Sequence, residues 1–256
     1  MMSYLAQAEI FFLALVRITS FFITAPFFGI RGVPSLAKLA LGFIVTVLLF
    51  PLMSAVQLSD AASGAYVLAV IKEALLGLSM GFLATLIISA IQVAGQFMDL
   101  HMGLAMSGIF DPQNATNTTV VGRFFYVMAL LLFFQLDGHH SLLLALQASF
   151  RYLPLGEVVF DGSMVWAVVK LFTAMFALAM RIALPVIAVL LVSDLALCLV
   201  ARTVPQLNVF ILGFPLKAGL GVLTLIVIFP LLFTVFINIF SQMEQDLALL
   251  LRGLSP

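Results

Sequence analysis

The chain has 256 residues, of which 64% are hydrophobic and 9% charged, and its mean hydropathy is +1.27. A soluble domain carries roughly 25% charged residues, so water is excluded as the solvent for most of this surface, and an integral membrane protein or part of a membrane-embedded assembly is expected. The 11 basic and 11 acidic residues cancel, leaving no basic field for nucleic acid, and the single cysteine, Cys198, excludes an intramolecular disulfide and a cysteine metal cluster.

Glu9 precedes the first apolar run and no small-residue cleavage pattern follows, so no removable signal peptide is expected. A helix crosses a bilayer with about 20 mostly apolar residues. The run 10–30 qualifies only if Arg17 is buried or snorkels to the surface. "PFFGIRGVPSLAKLAL" (26–41) then reads as a turn: Pro26, Gly29, Gly32 and Pro34 interrupt the helix, and Arg31 with Lys38 supplies a basic side. The stretches 39–59, 74–98 and 218–243 are long enough to span and contain no charge.

Gly77, Gly81, Thr85 and Ser89 are small residues at intervals of four, the pattern of a groove that lets another helix approach closely. That helix belongs either to this chain or to a partner. Gln92, Gln96 and Asp99 follow on an adjoining face and suit a wet cavity or an interhelical hydrogen bond better than lipid. Met98, Met102 and Met106 share one face, and thioethers are soft and adaptable. Alone, such a stripe is core filler. Here Gly103 and Gly108 each weaken a helix by about 1 kcal/mol relative to Ala, and "FDP" is expected to end it, because Pro112 disfavours α geometry at Asp111. A soft apolar patch beside a weak backbone suits a deformable closure. The following "QNATNTT" holds two sequons, at Asn114 and Asn117, and reads more simply as a polar loop.

Residues 122–150 are interrupted by "QLDGHH". The stretch 122–136 makes a helix of about 22 Å, short of a hydrocarbon core of about 30 Å. With Gly138 as a helix stop and Asp137 as a poor helix former, 122–136 and 139–151 are expected to be the two arms of a helical hairpin packed against protein, in preference to one kinked span that would strand Asp137 and two histidines in hydrocarbon. His139 and His140 are adjacent, so on a helix they point about 100° apart and are not expected to chelate as an i, i+4 pair does. No metal is expected. The region 164–200 is long and apolar but holds Lys170, Arg181, Pro185 and Asp194; embedded charges need partners, water or other chains. In "ARTVPQLNVFILGFPLKAGLG" (201–221), Pro205, Gln206 and Asn208 mark a loop or hairpin tip.

With six segments and the N-terminus outside, the inside loops hold Arg31, Lys38, Arg123, Arg202 and Lys217, against Lys72, Arg151 and Arg252 outside. That balance follows the positive-inside rule weakly. No HExxH, GxSxG, Walker A or dinucleotide motif is present, so neither a cofactor nor an enzymatic activity is expected. The fold class is all-α in a single domain.

Arg17 followed by "TAPFFGIRGVPSLAKLAL", then "GLAMSGIFDP", "LDGHHSLLLAL" and "ALPVIAVLLVSDLALCLVARTVPQLNVFILGFPLKAGLG", in this order and at these spacings, resembles the FliR family of the flagellar type III export gate and its counterpart in virulence injectisomes. The resemblance runs from Glu9 to Arg252. It implies a subunit of a helical export gate in the bacterial inner membrane, within the flagellar basal body. In that gate a FliP-like part, about 1–160, and a FliQ-like part, 161–256, pack with FliP-like and FliQ-like chains, near FlhB-like and FlhA-like export proteins and the basal-body ring and rod. Much of such a gate sits above the bilayer plane, so six ordinary spans do not describe it.

The resemblance also implies a plug loop at 102–119 that closes a pore for unfolded export substrates. The plug residues would be Met102, Gly103, Met106, Ser107, Gly108, Ile109, Phe110, Asp111 and Pro112, with Met106 and Ile109 standing where relatives often carry Phe. Arg17, Pro26, Gly29, Pro34, Asp137, Gly138, His139, Pro185, Asp194, Pro205 and Asn208 would be structural and assembly positions. Two other classes compete: a secondary transporter using Arg181, Asp194 and broken helices, and an intramembrane enzyme using His139 and Asp137.

Overall fold

The structure is a computed structural model that describes residues 2–26, 34–52, 63–106, 119–156, 162–204, 206 and 208–253. Gly29, Pro205 and the stretch from Ser107 to Pro112 lie outside these residues, and the side chain of Met106 is likewise not described. Among the described residues every regular element is helical. These are α1 (Met2–Thr24), α2 (Ser35–Leu49), α3 (Ser63–Met102), α4 (Val120–Gln135), α5 (Gly138–Tyr152), α6 (Gly162–Thr203) and α7 (Val209–Gly253). Short 3-10 turns follow α2 at Phe50–Leu52 and α3 at Leu104–Met106.

Four described helical segments are long and apolar enough to cross a membrane: Gln7–Thr24, Gly64–Met102, Val168–Thr203 and Ile211–Ser241. The α4–α5 pair adds a fifth if counted as one bent span. The chain is an integral membrane protein. Its helices are longer than the hydrophobic runs alone suggest. α3 has 40 residues, α6 42 and α7 45; at 1.5 Å per residue each reaches roughly 60 Å or more, twice a hydrocarbon core of about 30 Å. α6 runs through Pro185, and α7 through Pro215 and Pro230.

The expected span at 39–59 is not one α-helix. α2 begins earlier, at Ser35, behind Pro34 in an extended conformation (φ −58°, ψ 142°), and ends at Leu49. Pro51 has no N–H to continue the i→i−4 ladder, and the chain tightens into its 3-10 turn there.

Two compact units emerge, each gathered from separate stretches of the sequence. The first comprises Met1–Ile87, Phe134–Leu171 and Phe240–Pro256. Its core joins Ile10, Leu13 and Ala14 of α1 to Ala69 of α3 and to Leu155, with Phe50, Tyr66, Val70 and Phe150 packed around them. Phe11 meets Phe43 and Phe50 edge-on, at centroid distances of 5.7 and 5.5 Å, tying α2 to α1.

The second unit comprises Ile88–Phe133 and Phe172–Ile239. Here Phe97 meets Phe176 at 5.4 Å and Phe125 meets Phe236 at 5.5 Å, both edge-on. α6 and α7 form an antiparallel hairpin. Asp194 pairs with Lys217, while Leu197, three residues further along α6, lies beside Gly213, four residues earlier on α7. Asn208 starts α7: its side-chain oxygen accepts from Ile211 N–H at 3.4 Å, and its carbonyl from Ile211 and Leu212 at 3.1 and 3.3 Å. The amide expected at a hairpin tip is therefore an N-cap.

Candidate functional site

The segment opened by the methionines is held at both ends. α3 ends at Met102, because Gly103 takes a left-handed conformation (φ +80°) and donates back to the Leu100 carbonyl at 3.2 Å. Glycine adopts that conformation without a Cβ penalty, so the helix stops well before the "FDP" that was expected to end it. Met98 and Met102 are fully buried. Met102 lies against Gly221 of α7 so closely that a Cβ there would overlap its side chain. These two methionines are packing residues within the second unit.

At the other end, the Asp99 carboxylate accepts from the backbone N–H of Gly122 at 3.0 Å, in the first turn of α4. The first N–H groups of a helix lack partners within it, so Asp99 caps α4 from another helix. Close approach makes this possible. A Cβ on Gly95 would lie 2.6 Å from Gly122 Cα, so the two backbones touch where the helices cross. Asp99 is fully buried; its other oxygen and the Thr119 hydroxyl have no partner. The interhelical bond expected of the polar face at 92–99 is thus made by Asp99, while Gln92 and Gln96 are half-buried.

Gly77, Gly81 and Thr85 of the small-residue stripe face α1 of the same chain. A Cβ added to Gly77 would overlap the Arg17 carbonyl oxygen, and one on Gly81 would overlap Thr24 Oγ1 and lie 2.5 Å from the Phe21 carbonyl oxygen. The Thr85 hydroxyl donates to the Thr24 carbonyl, and Thr24 Oγ1 to the Leu78 carbonyl at 3.1 Å. Ser89 is half-buried.

Arg17 is buried, and its partner is one that sequence reasoning did not single out. Its Nε donates to Glu73 Oε2 and its Nη1 to the Leu153 carbonyl at 3.0 Å, with the Ser149 hydroxyl at 3.4 Å. The guanidinium lies 4.5 Å from the Phe150 ring centroid. The other Glu73 oxygen accepts from Gly156 N–H at 2.9 Å. Gly156 is left-handed (φ +83°), which turns that N–H inward. Glu73 went unnoticed because it is 56 residues from Arg17 and sits beside Lys72 at what reads as a helix end.

The charges expected to need partners divide into two sets. Asp194 pairs with Lys217, whereas Lys170 and Arg181 are exposed. Arg181 and Asp194 therefore form no joint ion site in the structure, and Pro185 lies on the exposed side of an unbroken α6. Pro26 is buried in the turn after α1.

At the break between α4 and α5 the helix ends lie close to those expected, but the two helices meet at a bend of 69°, a kink and not the reversal expected of a hairpin. The pivot is Asp137, not Gly138. Asp137 is left-handed (φ 54°, ψ 28°), and Gly138 is the buried first residue of α5. Asp is among the few residues other than Gly that tolerate this conformation. The adjacent imidazoles were expected to diverge, but His139 and His140 stack at a centroid distance of 4.5 Å and 29°. His140 Nδ1 lies 3.7 Å from Asp137 Oδ1. The 100° rule places Cβ atoms, and side-chain torsions bring the rings back together.

A family model for bacterial export proteins, family 1, matches residues 8–243. The flagellar biosynthetic protein FliR of Bacillus subtilis (strain 168) is 39% identical over 234 residues, 90% of each chain. FliR of Escherichia coli (strain K12) is 32% identical over 245 residues, 96% of this chain and 94% of its own. The secretion system apparatus protein SsaT of Salmonella typhimurium (strain LT2) is 33% identical over 159 residues, 62% of this chain and 61% of its own. On a match of this length and on these identities, the chain belongs to the bacterial export protein family 1, alongside the FliR flagellar biosynthetic proteins.

Proposed function

We propose that the chain is a non-enzymatic pore and gate subunit of the flagellar type III protein export apparatus. It passes unfolded flagellar subunits across the bacterial inner membrane. The observation that carries this reading is family membership over residues 8–243, joined to helices about twice as long as a bilayer core. Such helices also expose large apolar side chains, among them Leu184, Leu191 and Leu195 on α6 and Ile226, Val227 and Leu231 on α7. Exposed apolar faces of this length suit a subunit packed among other helical chains, partly above the lipid.

Those chains are FliP-like and FliQ-like gate subunits, with FlhB-like and FlhA-like proteins and the basal-body ring and rod around them. A FliP-like part to about residue 160 and a FliQ-like part beyond it give the chain its place in the helical gate. The loop within 102–119 plugs the pore, with Met106, Ile109 and Phe110 at its apolar tip and "QNATNTT" on its hinge side. The Asp99–Gly122 bond and the Gly103 cap support that assignment, because they fix the base of a loop whose tip has to move.

A flagellar gate is favoured over a virulence injectisome because the flagellar relatives cover 90% and 96% of the chain, against 62% for SsaT. The test is conductance. Deleting residues 105–110 should leave co-purification with FliP-like and FliQ-like chains intact and raise ion leakage through the assembled complex. Unchanged conductance would remove the plug from the reading, and failure to co-purify even in the unaltered chain would remove the gate.

A further inference from the structure

We propose that Asp137, His139 and His140 form a binding site for a divalent transition-metal ion, with Zn2+ the best match, at the break between α4 and α5. One ligand atom from each of the three residues lies within 4.8 Å of the other two. Ligands at about 2.1 Å from a tetrahedral Zn2+ stand roughly 3.4 Å apart, so the 3.7 Å between Asp137 Oδ1 and His140 Nδ1 is already near the bound value.

Three further features leave these groups available. Asp137 occupies the N-cap position of α5 yet makes no capping bond, although Asp is among the best N-cap residues. His139 Nδ1 is buried without a hydrogen-bond partner. His140 and Asp137 stand too far apart to hydrogen-bond, and their side chains are 69% and 73% exposed, so an ion reaches them from outside. Asp137 is also the sole non-glycine residue with positive φ among the described residues. That conformation turns its carboxylate toward the two rings that follow.

The donor set decides the ligand class. Two imidazoles and one carboxylate are borderline nitrogen and oxygen donors, which suit Zn2+ better than Mg2+ or Ca2+, and they leave a fourth position for water or for a group from a neighbouring chain. The positive end of the α5 dipole opposes a cation, and Asp137, seated at that same end, offsets it. A bound ion would lock the two-residue break and hold Asp137 in its left-handed conformation.

The test is titration of the full-length chain, purified in detergent and stripped with chelator, using ZnCl2 in a calorimeter and Co2+ as a spectroscopic stand-in. One ion per chain is expected, with Co2+ giving the visible absorption of a four-coordinate nitrogen and oxygen site. His140→Ala and Asp137→Asn should each weaken binding at least about tenfold, the scale on which even groups behind the ligands act. Both side chains are exposed, and Asn also tolerates positive φ, so these variants fold. No saturable Zn2+ binding in the unaltered chain, or binding in either variant as tight as in the unaltered chain, would overturn the proposal.

Discussion

Arg17 and Glu73 form a fully buried ion pair that joins α1 to α3, and the same two side chains hold the Leu153 and Gly156 backbone after α5. Every Glu73 oxygen is used, and the guanidinium has one nitrogen, Nη2, without a partner. Charges this deep are costly to strand. Glu73→Ala should therefore destabilise the chain by about 3–5 kcal/mol, because Arg17 keeps its charge and loses its counterion. Replacing both, Arg17→Met with Glu73→Leu, should recover most of that loss. Thermal unfolding of the purified chain in detergent compares the two. A double variant no more stable than Glu73→Ala would show that the stranded charge is not what matters there.

Gly81 of α3 and Gly219 of α7 differ in what surrounds them, and that difference predicts opposite signs. Gly81→Ala pushes a methyl into the Thr24 hydroxyl and the Phe21 carbonyl, so it should cost about 1–3 kcal/mol, as overpacking does. Gly81→Leu should cost more and block assembly of the export complex. Gly219→Ala on α7 meets nothing within 4 Å, and the better helix propensity of Ala should stabilise the isolated chain by up to about 1 kcal/mol. Matching shifts for Gly81→Ala and Gly219→Ala would mean that α1 does not approach α3 this closely.

Asp99 should act through its bond to Gly122. Asp99→Ala removes the cap on α4 and should cost about 1–3 kcal/mol, whereas Asp99→Asn keeps an acceptor and should cost less. Hydrogen exchange at the Gly122 amide reads the effect locally, and faster exchange is expected in Asp99→Ala than in Asp99→Asn. In the assembled complex the same order should appear in ion leakage if the loop above this bond is the plug. Equal exchange in both variants would separate Asp99 from the α4 terminus.

Much of the architecture was legible in the sequence because lipid imposes a simple pattern. Long apolar runs became helices, and α4 and α6 end, at Gln135 and Thr203, where polar and turn-forming residues cluster. The misses share a cause: they depend on residues far apart in the chain or on single torsions. Periodicity marked Arg17 as a problem but had no means of naming Glu73, because the pairing exists only once α1 and α3 pack. Proline rules pointed to "FDP" as the end of α3, whereas Gly103 ended it with one left-handed residue. The helical wheel separated His139 from His140, and Asp137, left-handed in place of the expected glycine, went unread. The run of α3 on past Lys72 was hidden by treating charges as boundaries.

Asp194 and Lys217 give the last prediction, which turns on solvent. Their side chains are 36% and 28% exposed, and they bridge α6 and α7 on a surface that is otherwise largely apolar. In detergent, water reaches the pair, so Lys217→Leu should lower stability by no more than about 1 kcal/mol. In a membrane the same change leaves Asp194 without a cation, and an unpaired carboxylate inside a helix that crosses the bilayer costs about 2.5–3.5 kcal/mol on insertion scales. Lys217→Leu should therefore be depleted from membranes far more than its detergent stability suggests. The swap Asp194→Lys with Lys217→Asp restores the pairing and should restore the level. Quantitative blotting of membrane fractions, set against melting in detergent, measures both terms. Equal abundance of the single variant and the unaltered chain would place this pair in water and not in lipid or at a protein interface.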